Sequence, residues 1–131
     1  MGRYALLIGT SAYHADPGLP GLPSVQVDVP AMKQALNERG EFDTVEDYLD
    51  LPREHIGSLL QDFYSGRSVR DMLLLYYSGH GLVDEDGQML FLGATDTRRD
   101  NLGVTGVDTS TLLWTYLRNT RAGQRLASAL Q

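Results

Sequence analysis

Two short apolar runs restrict the fold of this chain more than any other feature of its sequence. They are RYALLIG at residues 3–9 and MLLLYYS at residues 72–78, and each ends in glycine or serine before a polar loop. A strand with one face in water alternates apolar and polar side chains, whereas a strand covered on both faces is continuously apolar. The two runs therefore predict inner strands of a mostly parallel sheet.

Helical patterns separate the predicted strands. A first helix is predicted over 28–39, where Gly40 marks its end, and a second over 53–64, where Pro52 precedes its first residue. The second helix has one apolar stripe, formed by Ile56, Leu59, Leu60 and Phe63. A weaker strand, typical of a sheet edge, is predicted over 43–50. This alternation predicts an α/β fold, a three-layer sandwich whose crossovers are right-handed.

The second half of the chain carries weaker signals. The segment DEDG at 84–87 lies between two apolar runs and predicts a β-hairpin. Asp108 or Thr109 is expected to cap a third helix that continues through Leu117. The tail, 121–131, has Leu126, Ala127 and Leu130 at helical spacing, so it is predicted to be helical or frayed and not a strand. Residues 1–131 are expected to form a single domain.

Composition excludes several classes of function. The formal net charge of −6 opposes nucleic-acid binding, which needs a basic surface. The chain has no cysteine, which excludes disulfides and cysteine-based metal sites. The apolar runs are shorter than the roughly 20 residues of a membrane helix, so no membrane partner is expected. A cytoplasmic location is the default expectation.

The sequence SGHG at 78–81 is the strongest functional signal. Ligands of open parallel sheets gather at the carboxyl ends of the strands, and Ser78, His80 and Gly81 follow such an end. An imidazole there can accept and return a proton near neutral pH, and the Gly81 N–H can point into a site. The alternative is a histidine that only completes a turn. Ser78 does not fit an α/β-hydrolase nucleophile, because Tyr76 stands where that motif has glycine.

The residues RYALLIG, the proline and glycine loop after it, the segment VQVD at 25–28 and the run LLLYYSGHG at 73–81 together carry a resemblance. From about residue 3 to residue 118, the chain resembles caspase-like cysteine peptidases, and most closely their bacterial and metacaspase-type branch. The resemblance implies a caspase-like fold. It also implies that His80 is the catalytic histidine and that the Gly81 N–H contributes to the oxyanion hole.

The resemblance further implies which residues bind substrate. Asp28 and Ser78 match positions that line a pocket for an arginine or lysine before the cleaved bond (P1) in metacaspases, so the expected partner is a peptide or protein with a basic P1 residue. A carboxylate suits such a side chain because it forms charge-assisted hydrogen bonds with it. The other interpretation of Asp28 is an N-cap of the first helix, and the two roles are compatible. Val27 departs from the polar residue usual in the family. No cofactor or metal is expected, although family resemblance allows calcium.

The absent cysteine conflicts with this resemblance. The family nucleophile is a cysteine on the next strand, about 50 residues after the histidine in caspase signatures, and this chain has none. The sequence is therefore interpreted as the N-terminal part of the domain, incomplete at the C-terminus and ending before the cysteine-bearing strand. Strand 71–78 would then have an open edge that a complementary chain could pair with.

Three hypotheses follow from the sequence. The first is a cysteine endopeptidase domain that is inactive alone, since acid–base help of about 10²- to 10⁴-fold cannot replace a nucleophile. The second is a pseudoenzyme that binds or regulates through the pocket or the sheet edge. The third is an unrelated α/β binding protein with a coincidental SGHG loop.

Overall fold

The structure, a computed structural model, describes residues 2–112 and 122–130. Its strands are β1 (Arg3–Gly9), β2 (Thr44–Leu49), β3 (Met72–Ser78), β4 (Gly81–Val83), β5 (Leu90–Leu92), β6 (Val107–Asp108) and β7 (Gln124–Leu130). Its α-helices are α1 (Val25–Arg39), α2 (Arg53–Tyr64), α3 (Leu102–Thr105) and α4 (Thr109–Thr111), and a 3-10 turn covers Arg99–Asn101.

The main sheet is parallel throughout, in the order β2-β1-β3-β7. In its register, Gly9 at the end of β1 lies beside Leu49 and Ser78, and Ser78 lies beside Leu130. The carboxyl ends of all four strands therefore meet at one edge of the sheet. A small antiparallel sheet, in the order β4-β5-β6, begins directly after this edge.

Helices cover both faces of the main sheet, as the continuous apolar strands predicted. Leu6 and Ile8 of β1 and Leu73 of β3 pack with the buried stripe of α2, whereas Leu7 and Tyr76 pack with α1. Successive side chains of a strand point to opposite faces, so one strand supplies both cores. The α/β three-layer architecture is confirmed, and β2 lies at an edge of the sheet as its weaker pattern indicated.

Local signals located several elements accurately. β1 and α2 have the predicted bounds, and Gly40 ends α1 in the left-handed conformation with φ 68°. The hairpin of β4 and β5 is present, with Gly87 at φ 67° and the Asp84 carboxylate accepting the N–H groups of Gln88 and Met89. Asp108 caps α4 by accepting the Ser110 N–H. The rest of the predicted third helix lies outside the described residues.

Two predictions about the ends of elements are wrong. α1 begins at Val25 after Ser24, so Asp28 lies within its first turn and is not the N-cap. The tail is not helical, because Gln124–Leu130 forms β7 and pairs with β3 in parallel. Leucine and alanine favour a helix locally, but pairing with a buried strand overrides that preference.

The pairing of β7 with β3 also corrects the expectation of an open edge. All seven residues of β3 have partners in β7, from Met72 beside Gln124 to Ser78 beside Leu130. The edge at residues 71–78 that was expected to take a complementary chain is therefore already paired within the chain. The strand beside β3 was expected to be absent from this chain. In the structure, β7 occupies that position.

Candidate active site

His80 lies directly after β3, at the carboxyl edge of the sheet where ligands of parallel sheets bind. It is half-buried, two residues beyond Ser78 and one before the start of β4. The strand end and the hairpin therefore hold its backbone on both sides. This is the position that the sequence predicted for an acid–base group.

The His80 imidazole makes a hydrogen bond with the backbone of the loop after β1. Its Nε2 lies 2.8 Å from the Pro20 carbonyl oxygen. A carbonyl oxygen only accepts hydrogen bonds, so Nε2 carries the hydrogen in this arrangement. The neutral imidazole then has its lone pair on Nδ1. The contact leaves Nδ1 as the atom that can take a proton from a reacting group.

Two tyrosines hold the backbone around His80. The Tyr13 hydroxyl accepts the His80 N–H at 2.8 Å and donates to the Thr10 carbonyl oxygen at 2.9 Å. The Tyr77 hydroxyl donates to the Gly93 carbonyl oxygen at 2.6 Å and lies 3.3 Å from the His80 carbonyl oxygen. Burial raises the pKa of both phenols, so both stay protonated at neutral pH. Both peptide groups of His80 are thus fixed.

The glycine before His80 makes room for these hydroxyls. A Cβ at Gly79 would lie within 2.8 Å of the Tyr13 hydroxyl and closer still to that of Tyr77. A Cβ at Gly93 would come within 2.7 Å of the Tyr13 ring. Real Cβ atoms do not approach so closely. The first glycine of SGHG is therefore needed for packing against tyrosines.

Asp50 holds the base of the loop that carries Tyr13 and Pro20. Its carboxylate accepts the Ser11 N–H at 2.7 Å, the Ala12 N–H at 3.1 Å and the Ser11 hydroxyl at 2.8 Å. Asp50 has φ 58°, the only positive φ of a residue other than glycine among those described. Aspartate tolerates this region better than most residues. The end of β2 is thus bent so that its carboxylate reaches the loop.

Asp16 fixes the same loop from its other side. Its carboxylate accepts the Arg99 N–H at 2.9 Å and the Gly18 N–H at 2.9 Å, and the Arg99 Nε lies 3.2 Å away. The N–H groups of Arg99 and Gly18 lower the pKa of Asp16, and the Arg99 guanidinium adds to the effect. The segment that bears Pro20 is therefore tied to the 3-10 turn.

Gly81 opens β4 opposite Leu92 of β5. The hydrogen bonds on either side are those from Gly93 N to His80 O, at 2.9 Å, and from Asp84 N to Met89 O, at 3.1 Å. The alternation of an antiparallel ladder then makes Gly81 a non-hydrogen-bonded position, with its N–H turned away from β5. This direction is compatible with the predicted oxyanion role, which stays a prediction.

Asp28, Tyr76 and Ser78 come together on the opposite face of the sheet. Ser78 is buried, and its side chain hydrogen-bonds the Tyr76 hydroxyl. Burial raises the pKa of Tyr76; the bond with Ser78 opposes that rise, and the Asp28 charge adds to it. Asp28 itself is exposed on the first turn of α1. The two predicted pocket residues thus share a face and a neighbour.

No group of three or more histidine, aspartate or glutamate side chains that could hold a metal ion occurs in the described part of the chain. No helix within residues 2–112 and 122–130 is long and apolar enough to cross a membrane.

Comparison with protein families gives a match, and it is consistent with the α/β topology. A family model described as the caspase domain matches residues 2–131. The chain belongs to the caspase domain family. No curated protein matches this caspase domain. The resemblance to caspase-like peptidases is therefore confirmed at the level of the family, and the hypothesis of an unrelated α/β protein is wrong.

Sequence reasoning identified His80 in this caspase domain but missed the residues that hold it. Tyr13 lies 67 positions and Pro20 lies 60 positions before His80. Neither belongs to a motif with a stated chemistry, and a backbone carbonyl has no sequence signature. The proline and glycine loop, which cannot join a helix or a sheet interior, was the one available signal that this segment has a site role.

Proposed function

We propose that this caspase domain is the histidine-bearing part of a cysteine endopeptidase, in which His80 is the general base and then the general acid. One observation carries the proposal: the bond from Nε2 to the Pro20 carbonyl leaves the Nδ1 lone pair for the reaction. The histidine is also held at the carboxyl edge of the sheet, where open α/β sheets bind their ligands.

The proposed chemistry needs a thiol near Nδ1. The thiol proton moves to Nδ1, and the thiolate attacks the peptide carbonyl carbon to give a tetrahedral oxyanion. The Gly81 N–H is the proposed donor to that oxyanion. The Nδ1 proton then passes to the leaving amine as the C–N bond breaks, which leaves a thioester for water to hydrolyse. The Pro20 carbonyl stabilises the imidazolium formed between these steps.

This chain contains no cysteine, and Ser78 does not replace it. Ser78 is only 2% exposed and hydrogen-bonds Tyr76, so its hydroxyl is neither accessible nor paired with the imidazole. We therefore expect no peptidase activity from these residues alone. Since Leu130 lies beside Ser78 in the register, residues that continue β7 would run past His80. A cysteine presented there, or by another chain, would complete the site.

The proposed substrate has arginine or lysine at P1. The Asp28 carboxylate lies on the same face of the sheet end as buried Ser78, and its charge acts on the Tyr76 phenol, which hydrogen-bonds Ser78. A guanidinium that approaches Asp28 would form a charge-assisted bond stronger than a neutral one. Asp28 is exposed, which leaves it available to a substrate side chain.

The test adds a short continuation of β7 that carries a cysteine. Turnover of arginyl and aspartyl fluorogenic peptides is measured for the chain as it stands and for the extended chain. We expect no turnover by the former, and turnover of the arginyl peptide by the latter. His80→Ala in the extended chain should lower the rate by about 10²- to 10⁴-fold. An extended chain that is equally active with and without His80 contradicts the catalytic role.

The matched test of the pocket uses Asp28→Ala and, as control, Asp86→Ala in the exposed hairpin turn. We expect Asp28→Ala to lower kcat/KM for the arginyl peptide by about tenfold or more, as the loss of one charged contact implies. Asp86→Ala should leave it unchanged. The rate at which the added thiol is alkylated should be the same in the Asp28→Ala and Asp86→Ala variants. Equal turnover by the two variants would reject the basic pocket.

A second candidate function is a binding module that uses the same pocket without catalysis. The complete absence of cysteine beside an intact His80 environment favours it. Binding of a labelled arginyl peptide to the unextended chain, measured by fluorescence anisotropy, tests this candidate. Binding that Asp28→Ala weakens, combined with an extended chain that stays inactive, would favour the binding module over the peptidase.

A further inference from the structure

The loop after β1 supplies a second contact to His80, through Tyr13. The two rings lie 4.7 Å apart between centroids, with their planes tilted by 53°. The Tyr13 hydroxyl also accepts the His80 N–H at 2.8 Å. Tyr13 therefore contacts both the backbone and the imidazole of the same residue.

The Tyr13 hydroxyl also joins the ends of the two central strands. It donates to the carbonyl of Thr10, which follows β1, and the Thr10 N–H donates to the Ser78 carbonyl at the end of β3 at 2.9 Å. The phenol is 6% exposed, so water cannot readily replace these bonds. The position of His80 relative to β1 is thus set through one hydroxyl group.

The space that Tyr13 occupies is made by two glycines. Side chains at Gly79 or Gly93 would meet its hydroxyl or its ring. Tyr13 thus fits a slot that exists only because both neighbours lack Cβ. This fit is independent of the hydrogen bonds, and it points to the same residue.

We propose that Tyr13 is a positioning residue that fixes the His80 backbone through its hydroxyl and the imidazole through its ring, so that Nε2 faces Pro20 and Nδ1 faces the reacting group. The proposal rests on the proposed acid–base function of His80. Tyr13 does not exchange a proton with substrate. With Pro20, it makes the loop after β1 the part of the chain that sets the histidine tautomer.

The experiment uses the full ¹⁵N-labelled chain and two variants. Tyr13→Phe removes the hydroxyl and keeps the ring, whereas Tyr13→Leu removes both. Imidazole ¹⁵N shifts report the tautomer of His80, and hydrogen exchange reports the protection of its amide. His14 and His55, both exposed, are internal references in each spectrum. Tyr48→Phe is the matched control, because its hydroxyl lies near Glu46, at 3.4 Å, and not near His80.

In the unchanged chain, we expect the tautomer with hydrogen on Nε2 to predominate. Tyr13→Phe should speed exchange of the His80 amide by about tenfold or more, since the N–H loses its acceptor, while most of the tautomer preference is kept. Tyr13→Leu should also shift the tautomer toward the mixture seen for His14 and His55. Tyr48→Phe should change neither signal. If Tyr13→Leu does not fold, the amide exchange of Tyr13→Phe still decides.

Unchanged exchange and tautomer in the folded variants would overturn the proposal, even if their melting temperature falls. That result would show a merely structural tyrosine. The cysteine-bearing chain separates this failure from failure of the proposed function. If that chain cleaves peptides through His80, while Tyr13→Phe leaves both the His80 amide exchange and the pH dependence of cleavage unchanged, only the positioning role is wrong. If it is inactive while Tyr13→Phe changes His80 as expected, positioning stands and the peptidase function is wrong.

Discussion

The two faces of the sheet end at β3 in different ways. On the α2 face, Tyr77 leads to a histidine held by hydrogen bonds to Tyr13 and Pro20. On the α1 face, buried Tyr76 and Ser78 lead to Asp28, an exposed carboxylate on a helix turn. One strand therefore supports a rigid corner on one side and an open, charged position on the other.

This difference suits the two proposed tasks. A proton-transfer group works only in a narrow geometry, so it gains from contacts formed before substrate arrives. A charged pocket gains strength when a ligand excludes water from it, so an exposed carboxylate can wait for its partner. The cores beneath differ in the same sense. Within residues 2–112 and 122–130, the cluster on the α2 face contains more buried residues than the cluster on the α1 face, and partly buried side chains border both.

The largest expected effect compares two leucines that are both 0% exposed, Leu73 toward α2 and Leu7 toward α1. Leucine to alanine in a core costs about 2 to 5 kcal/mol, depending on how far the site can collapse. We expect Leu73→Ala near the upper end. Leu7→Ala should lie nearer the lower end, because its smaller cluster has fewer fully buried neighbours to hold a cavity open. Urea unfolding at equal ionic strength measures both.

The order of these two losses is the informative result. Equal losses would mean that the two faces pack equally tightly, and a larger loss for Leu7→Ala would reverse the comparison. Exposed Val104→Ala is the control, since it should change the free energy of unfolding by less than about 0.5 kcal/mol.

The next effect concerns the connection between β3 and β4 that carries His80, here called the histidine corner. It tests whether Asp50 makes this connection rigid. Asp50→Ala leaves the N–H groups of Ser11 and Ala12 without their acceptor and keeps a positive φ that alanine disfavours. We expect the free energy of unfolding to fall by about 2 to 3 kcal/mol, the range for losing charged hydrogen bonds. The His80 amide should also exchange faster. Denaturant unfolding and hydrogen exchange measure the two effects.

Asp50→Asn is the matched variant. Its side-chain oxygen can still accept both N–H groups, and asparagine tolerates positive φ. It should lose less than half as much stability as Asp50→Ala. If the two variants are equally unstable, charge and not hydrogen-bond geometry holds the loop.

The sequence predicted those parts of the molecule that depend on neighbours along the chain. β1, α2 and the hairpin follow from local periodicity and turn residues, and His80 follows from a motif placed after an apolar strand. β7 was misjudged because its local leucine and alanine spacing favours a helix, while its pairing with β3 lies about fifty residues away in sequence.

The geometry around His80 could not be predicted for the same reason. The bond to Pro20 uses a backbone carbonyl, and the role of Asp50 depends on the end of β2 lying beside the end of β1. The need for glycine at 79 becomes clear only when the tyrosine hydroxyls are seen beside it. Motif reasoning thus predicts His80 as the reacting group, and the tertiary structure shows which residues hold it.

The smallest expected effect concerns Asp16, which ties the loop of Pro20 to Arg99. The N–H groups of Arg99 and Gly18 lower its pKa, so its stabilising contribution is complete above the ordinary aspartate pKa of about 3.9 and is lost as the pH falls through the lowered value.

Asp16→Asn should therefore be slightly less stable than the unchanged chain at pH 6 and equally stable in strong acid. Urea midpoints across pH 2 to 6 measure this, with Asp100→Asn, near Arg98 at 3.8 Å, as the exposed control. The effect should be small because the Arg99 side chain is 55% exposed, so solvent screens the ion pair. A stability difference for Asp16→Asn that does not change with pH would mean that its charge plays no part in holding the loop. The histidine corner would then depend on Asp50 and Tyr13.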